Sequence, residues 1–162
     1  LTLPGETALH ITAIENLPAV ADFYSIPPSN LCLKPALEGV PEIAAIAEEH
    51  FQKCEAENVI LKTGRFSETL PQVVAEEKDL GLVFIDGHHS RKPTLDYLEM
   101  ILPVLSEKAI VVLDDIYYSR DMAACWQELL QHPAFQVKMD FFRFGLLIKN
   151  ANLSSETFRL RV

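Results

Sequence analysis

Positive charge is scarce in this chain of 162 residues: 14 Lys and Arg stand against 23 Asp and Glu, a formal net charge of −9. That balance excludes a general nucleic-acid-binding surface, which needs clustered cations to displace the counterions of a phosphate backbone. Cysteine is nearly absent. Cys32, Cys54 and Cys125 are odd in number and lack Cys-x-x-Cys spacing, so neither a disulfide framework nor a zinc site is indicated and buried free thiols are expected. No apolar run approaches the roughly 20 residues a membrane-spanning helix needs, and no basic segment leads into an apolar signal stretch. A cytoplasmic protein with no membrane partner is the expectation. No linker, low-complexity segment or long charge run divides the chain, so residues 1–162 read as a single domain. It opens on Leu1 and not on Met, from which a missing N-terminal portion is expected. What is present is ordinary: 49% apolar and 23% charged residues, the composition of a globular protein long enough to bury a core without staples.

The strongest strand signals are short apolar runs that end in acid. Leu80 to Ile85 stops at Asp86, and Ala109 to Leu113 stops at Asp114 and Asp115. Runs apolar on both faces point to central parallel strands. Between them Leu95, Leu98, Ile101, Leu102 and Leu105 recur at helical spacing, which completes a βαβ unit. Ser119 can cap a following helix whose apolar stripe is Met122, Cys125, Trp126, Leu129 and Leu130, closed by His132-Pro133. Upstream, Pro41 opens a helix with Ile43, Ile46, Ala47 and Phe51 on one side, Asn58 to Thr63 reads as a strand, and a helix from about Ser67 to Lys78 carries Leu70, Val73 and Val74. Before these, Thr7 to Thr12 reads as a strand, Pro18 to Tyr24 as a short helix and Leu31 to Leu37 as a second strand. Near the end, Phe135, Val137, Met139 and Phe141 alternate with Gln136, Lys138 and Asp140, and Phe144 to Ile148 follows after two residues. That is the pattern of a β-hairpin.

Four stretches, in this order, are similar to one known family: Ala36-Leu37-Glu38-Gly39-Val40-Pro41-Glu42-Ile43-Ala44, Leu82-Val83-Phe84-Ile85-Asp86-Gly87-His88-His89, Val111-Val112-Leu113-Asp114-Asp115-Ile116, and Asp140-Phe141-Phe142-Arg143-Phe144-Gly145-Leu146. They resemble the class I S-adenosylmethionine-dependent methyltransferases, in particular the small bacterial O-methyltransferase-like group, over roughly residues 8 to 149. The resemblance implies an α/β, Rossmann-like sandwich: a mostly parallel seven-stranded sheet with a C-terminal antiparallel hairpin, and a cofactor across the carboxyl ends of the first strands. It also implies S-adenosylmethionine as cofactor and a hydroxyl of a small-molecule substrate as methyl acceptor. One stretch departs from the family. Where the first strand should end in an acid and a glycine-rich turn, the chain reads Leu9-His10-Ile11-Thr12-Ala13-Ile14-Glu15-Asn16, without glycine. Side chains there crowd the cofactor's path, and positions needing positive φ carry a strain of about 1–3 kcal/mol each. The alternative expectation is therefore a non-catalytic relic of the fold, a binding or interaction module. A dinucleotide-dependent oxidoreductase needs the same absent glycines and leaves the hairpin unexplained.

By this resemblance Glu38, at the end of the second strand, accepts hydrogen bonds from the ribose hydroxyls. Its plainer role is a carboxylate complementing the start of the Pro41 helix. Phe66 flanks the adenine ring or simply packs. Asp86, Asp114 and Asp115, at the ends of adjacent strands, suit Mg²⁺ as hard oxygen ligands, with Asp86 also bordering the cofactor. A metal there polarises the acceptor hydroxyl, and His88 or His89 takes the proton. The plainer alternatives are that Asp115 caps the next segment and that a histidine bonds a loop carbonyl. Arg143 pairs with a rim carboxylate or a substrate anion, or is an exposed turn residue. Trp126 belongs to the core. Pairing with a second copy is left open.

Overall fold

The structure, a computed structural model, describes residues 7–12, 34–57 and 59–160. In chain order the elements are β1 (Thr7–Thr12), β2 (Lys34–Glu38), α1 (Pro41–Lys53), β3 (Val59–Thr63), α2 (Phe66–Glu76), β4 (Leu80–Asp86), α3 (Arg91–Ile101), β5 (Leu105–Leu113), α4 (Arg120–Leu129), β6 (Val137–Asp140), β7 (Gly145–Ile148) and β8 (Glu156–Arg159). The helix expected at Pro18 to Tyr24, the loop beyond Thr12 with Glu15, and Cys32 lie outside the described residues.

All eight strands join one sheet in the order β3-β2-β1-β4-β5-β7-β6-β8. The first five in that order are parallel. β7 runs antiparallel to both β5 and β6, and β6 is parallel to β8. This corrects the expected seven-stranded sheet: the described residues form eight strands, the sheet is mixed, and the antiparallel pair is followed by β8, which adds to the outer edge of β6. All four side chains of β8 are exposed, so it buries no face and leaves no alternation to read.

The core lies between the sheet and α2, α3 and α4, which pack in series. Leu70 and Val73 of α2, Leu98 and Ile101 of α3, and Met122, Cys125, Trp126 and Leu129 of α4 close over Val83, Ile85, Val111, Leu113 and Leu147. Each fully buried large apolar side chain here contributes about 1.5–3 kcal/mol. α4 starts as its sequence dictates, with Ser119 Oγ accepting the Met122 amide at 3.1 Å. α3 stops earlier than its apolar spacing indicates. Pro103 cannot donate the next helical hydrogen bond, so Leu102–Val104 tightens to a 3-10 turn and Leu105 opens β5 and not the last turn of a helix. α1 is rotated from the expected phase: Ala44 and Ala47 are buried, whereas Ile46 is 43% exposed. β6 inverts its expected phase altogether. Lys138 and Asp140 are buried, while Val137 and Met139 are only half-buried.

Candidate active site

The sheet reverses direction between β1 and β4: β2 and β3 extend it one way, β4 and β5 the other. At such a switch point the connections diverge to opposite faces and leave a crevice beyond the carboxyl ends of the strands. Register aligns those ends. Thr12 pairs with Asp86, and Glu38 pairs with Thr63. Each of β2, β3 and β4 is followed at once by a glycine, Gly39, Gly64 and Gly87, so three of the strand exits carry no side chain of their own. Gly64, at φ +146°, donates its amide to the Glu38 carbonyl at 2.9 Å, a backbone conformation that a side chain would strain.

Glu38 is 1% exposed, and its Oε1 accepts the Val40 amide at 2.8 Å. Val40 is the residue that caps α1, so the carboxylate stands at once at the strand-end rim and at the positive end of a helix. Phe66 opens α2 with 8% of its surface exposed, edge-on to Tyr97 at 5.6 Å and directly under Gly87, where an added Cβ would lie 2.6 Å from its ring. The ring therefore serves the core first and offers a ligand little surface.

Asp86 ends β4 with Oδ1 3.8 Å from Nε2 of His89, beyond hydrogen-bond range but within electrostatic reach. The His89 ring lies against Tyr118 at 5.1 Å. His88 is exposed, and both histidines have positive φ, +66° and +32°. Asp114 extends the β4–β5 pairing, its amide on the Ile85 carbonyl at 3.0 Å. Asp115, at φ +50°, turns the chain and accepts the Tyr118 amide on its carbonyl at 2.9 Å. Among the described residues no group of three or more His, Cys, Asp or Glu side chains is gathered to hold a metal ion. Asp86, Asp114 and Asp115, the residues expected to hold Mg²⁺, stand at adjacent strand ends without forming such a group in this structure. Consecutive residues at a strand end diverge, and the left-handed turn at Asp115 breaks the extended run that a shared rim would need.

One carboxylate escaped the sequence reading. Asp140 is 2% exposed and takes the Tyr117 hydroxyl at 2.6 Å, the Phe142 amide at 2.9 Å, and the Trp126 indole N–H and Arg159 Nε at 3.3 Å each. Burial pushes its pKa up, but the bonds from Tyr117, the Phe142 amide and Trp126, with the nearby Arg159 charge, outweigh burial and hold it below the usual carboxylate range. Asp140 thereby ties the turn after β5 to the turn between β6 and β7. The Ile116 amide on the Arg143 carbonyl, at 3.1 Å, adds a second tie. Arg143 itself extends an exposed side chain with no ion pair among the described residues, the exposed turn position that was one of its expected roles. Cys125 is buried and its thiol is pushed up to about 11 by desolvation. Cys54 is exposed, against expectation, because it falls just past the last turn of α1.

A family profile described as "Methyltransferase domain" matches residues 5–116, an interval that contains Glu38, Asp86, both histidines and the Asp114-Asp115 pair. The chain belongs to this methyltransferase family. Solved methyltransferases share its fold, that of the class I S-adenosylmethionine-dependent enzymes. It is similar to the O-methyltransferase from Bacillus cereus in complex with SAH, at 15% identity and TM-score 0.72 over 90% of this chain and 74% of that one. It is likewise similar to the SAH-bound Podospora anserina methyltransferase PaMTH1, at 18% identity and TM-score 0.72 over 91% and 72%. The O-methyltransferase TomG from Streptomyces achromogenes, in complex with SAM, aligns at 17% identity and TM-score 0.69 over 90% and 74%. No curated protein matches the chain. Among the described residues of this methyltransferase no helix is long and apolar enough to cross a membrane.

Proposed function

We propose that the chain is an S-adenosylmethionine-dependent methyltransferase whose acceptor is a hydroxyl of a small molecule. The observation that carries this reading is Glu38: a carboxylate held at the end of β2, between two strand exits that are both glycine. A carboxylate there can accept from the two ribose hydroxyls of a nucleoside, while Gly39, where an added Cβ would meet nothing nearer than the Gly64 carbonyl oxygen at 3.9 Å, lets a ligand approach the backbone closely. Glu38 and Gly39 support this cofactor, and S-adenosylmethionine is the ligand in the solved TomG structure. Bound there, it supplies a methyl group on a sulfonium centre, an electrophile for an oxygen nucleophile. His89, with the Asp86 carboxylate 3.8 Å from its Nε2, would be the residue to take the proton of an acceptor hydroxyl.

Calorimetric titration tests the reading. S-adenosylmethionine and S-adenosylhomocysteine should each bind saturably, with the same affinity with and without Mg²⁺. Glu38→Gln keeps an acceptor for the Val40 amide yet loses the charge, and should weaken both ligands about tenfold or more, the worth of a hydrogen bond to a charged group. No saturable binding to folded protein would sink the proposal. It would favour the second reading, a non-catalytic relic serving as a binding module, which the glycine-free stretch Leu9 to Asn16 supports.

A further inference from the structure

Among the strands, β8 is held by the fewest side-chain contacts. All four of its side chains are exposed, and it pairs with β6 alone, in parallel register, with Lys138 beside Thr157 and Asp140 beside Arg159. Successive side chains of a strand point to opposite faces, so these four stand together on the face where Lys138 lies next to Leu147 and Trp126 meets Asp140. Neighbouring strands are about 4.8 Å apart, and alternate residues of one strand about 6.6 Å apart. Lys138, Thr157 and Arg159 therefore surround a space suited to one small polar group.

Asp140 already has its donors, and Arg159 meets it through Nε at 3.3 Å while its own side chain stays 61% exposed. Lys138 is different. Only 5% of it is exposed, yet its ammonium makes no hydrogen bond or ion pair among the described residues. A buried charge with three donors costs free energy unless acceptors meet it. The inner side offers none, because Trp126, Leu129 and Leu147 belong to the apolar core. The stem therefore carries the ammonium outward along the sheet, toward the Thr157 hydroxyl and the open guanidinium of Arg159. Nearby carboxylates do not answer it: Asp140 is saturated with donors, Glu156 lies on the opposite face of β8, and Glu128 of α4 holds Arg91.

We propose that Lys138, Thr157 and Arg159 form a binding site for a tetrahedral oxyanion of the phosphate type, at the far edge of the sheet from β2 and Glu38. The ammonium and the guanidinium supply charge-assisted hydrogen bonds, and the Thr157 hydroxyl adds a neutral donor. Bound there, the anion bridges β6 and β8 and fixes in place a strand that buries no side chain of its own. The site is independent of the methyltransferase reading and stands whether or not the strand-end crevice takes a nucleoside.

The probe is inorganic phosphate, titrated into ¹⁵N-labelled protein at constant ionic strength with chloride as the balancing anion. Amide signals of Lys138, Thr157 and Arg159 should shift saturably, and phosphate should raise the Tm above its value in chloride. Lys138→Met keeps the stem and removes the charge, and should weaken binding about tenfold, with a severalfold loss in Thr157→Val. Lys53→Met, which removes an exposed ammonium from the end of α1, should change nothing. Glycerol 3-phosphate distinguishes the source of the anion: tighter binding than inorganic phosphate assigns a phosphate ester, and equal or weaker binding assigns the free ion. The absence of a saturable shift overturns the site, as do shifts confined to Gly39, Gly64 and Gly87. Wild-type affinity in folded Lys138→Met overturns it too; should that variant not fold, wild-type affinity in Thr157→Val, at an exposed position, decides the same point.

Discussion

Replacing Gly145 with alanine is expected to destabilise the protein by about 3 kcal/mol, at the upper end of what overpacking costs in a dense core. A Cβ at this first residue of β7 would lie 2.5 Å from Cζ3 and 2.9 Å from Cζ2 of Trp126. No rotamer relieves that, because the indole is 1% exposed, packed in the core, and held through its N–H by Asp140. The neighbouring strands offer no give either, since Gly145 pairs with Leu113 on one side and Asp140 on the other. For a domain of this size the loss corresponds to a fall in Tm of about 6–12 °C. Combining Gly145→Ala with Trp126→Phe should recover part of it, a coupling that a thermal-melt double-mutant cycle reads directly. A Tm within about 2 °C of wild type would show that the indole does not occupy the space above Gly145.

Removal of the Asp140 carboxylate should cost about as much or more. Asp140→Ala strands the Tyr117 hydroxyl, the Trp126 indole N–H and the Phe142 amide in a site where the carboxylate is 2% exposed. Each buried donor left without its acceptor costs about 1–3 kcal/mol, so a total loss of about 3 kcal/mol or more is expected. Arg159 adds little, because it is 61% exposed and screened by water. The pH dependence has a definite sign. Because the folded pKa is lowered, the contribution is fully present above the unfolded value of about 3.9 and is lost as pH falls through the folded value. Denaturant melts should therefore show a stability drop below about pH 4 that is smaller in Asp140→Asn, while between pH 5 and 8 this group adds no slope. An acid limb of equal size in both proteins would refute the assignment.

The parts of the fold that could be read from the chain are those where burial writes a period. Leu80 to Asp86 and Ala109 to Leu113 run apolar because both faces of a central strand are covered, and Met122, Cys125, Trp126 and Leu129 mark the buried stripe of α4. Reading failed where another force set the phase. In β6 the hydrogen bonds on Asp140 and the long apolar stem of Lys138 turn the polar side inward, so strict alternation pointed to the wrong face. In α1 two alanines, and not Ile46, take the inward positions. At the site, Glu38 stood out because an acid closes an apolar run just before Gly39 and Pro41. The glycines after β2, β3 and β4 stand in the chain without a shared motif, so only the strand ends of the fold reveal that they sit at one rim. Asp86, Asp114 and Asp115 were legible as acids that close apolar runs, whereas the left-handed turn at Asp115 left no mark in the chain. Asp140 was passed over as the polar partner in an alternating strand, and only the donors that converge on it from distant turns reveal its role.

The central claim, that a nucleoside cofactor lies across the carboxyl ends of β1 to β4 with Glu38 on its ribose, is tested most directly by recording amide spectra of ¹⁵N-labelled protein during titration with S-adenosylhomocysteine. The account predicts saturable shifts concentrated at Gly39, Gly64 and Gly87, lost in Glu38→Gln at the same ligand concentration. Shifts confined to other residues, or none at saturating ligand, would contradict it.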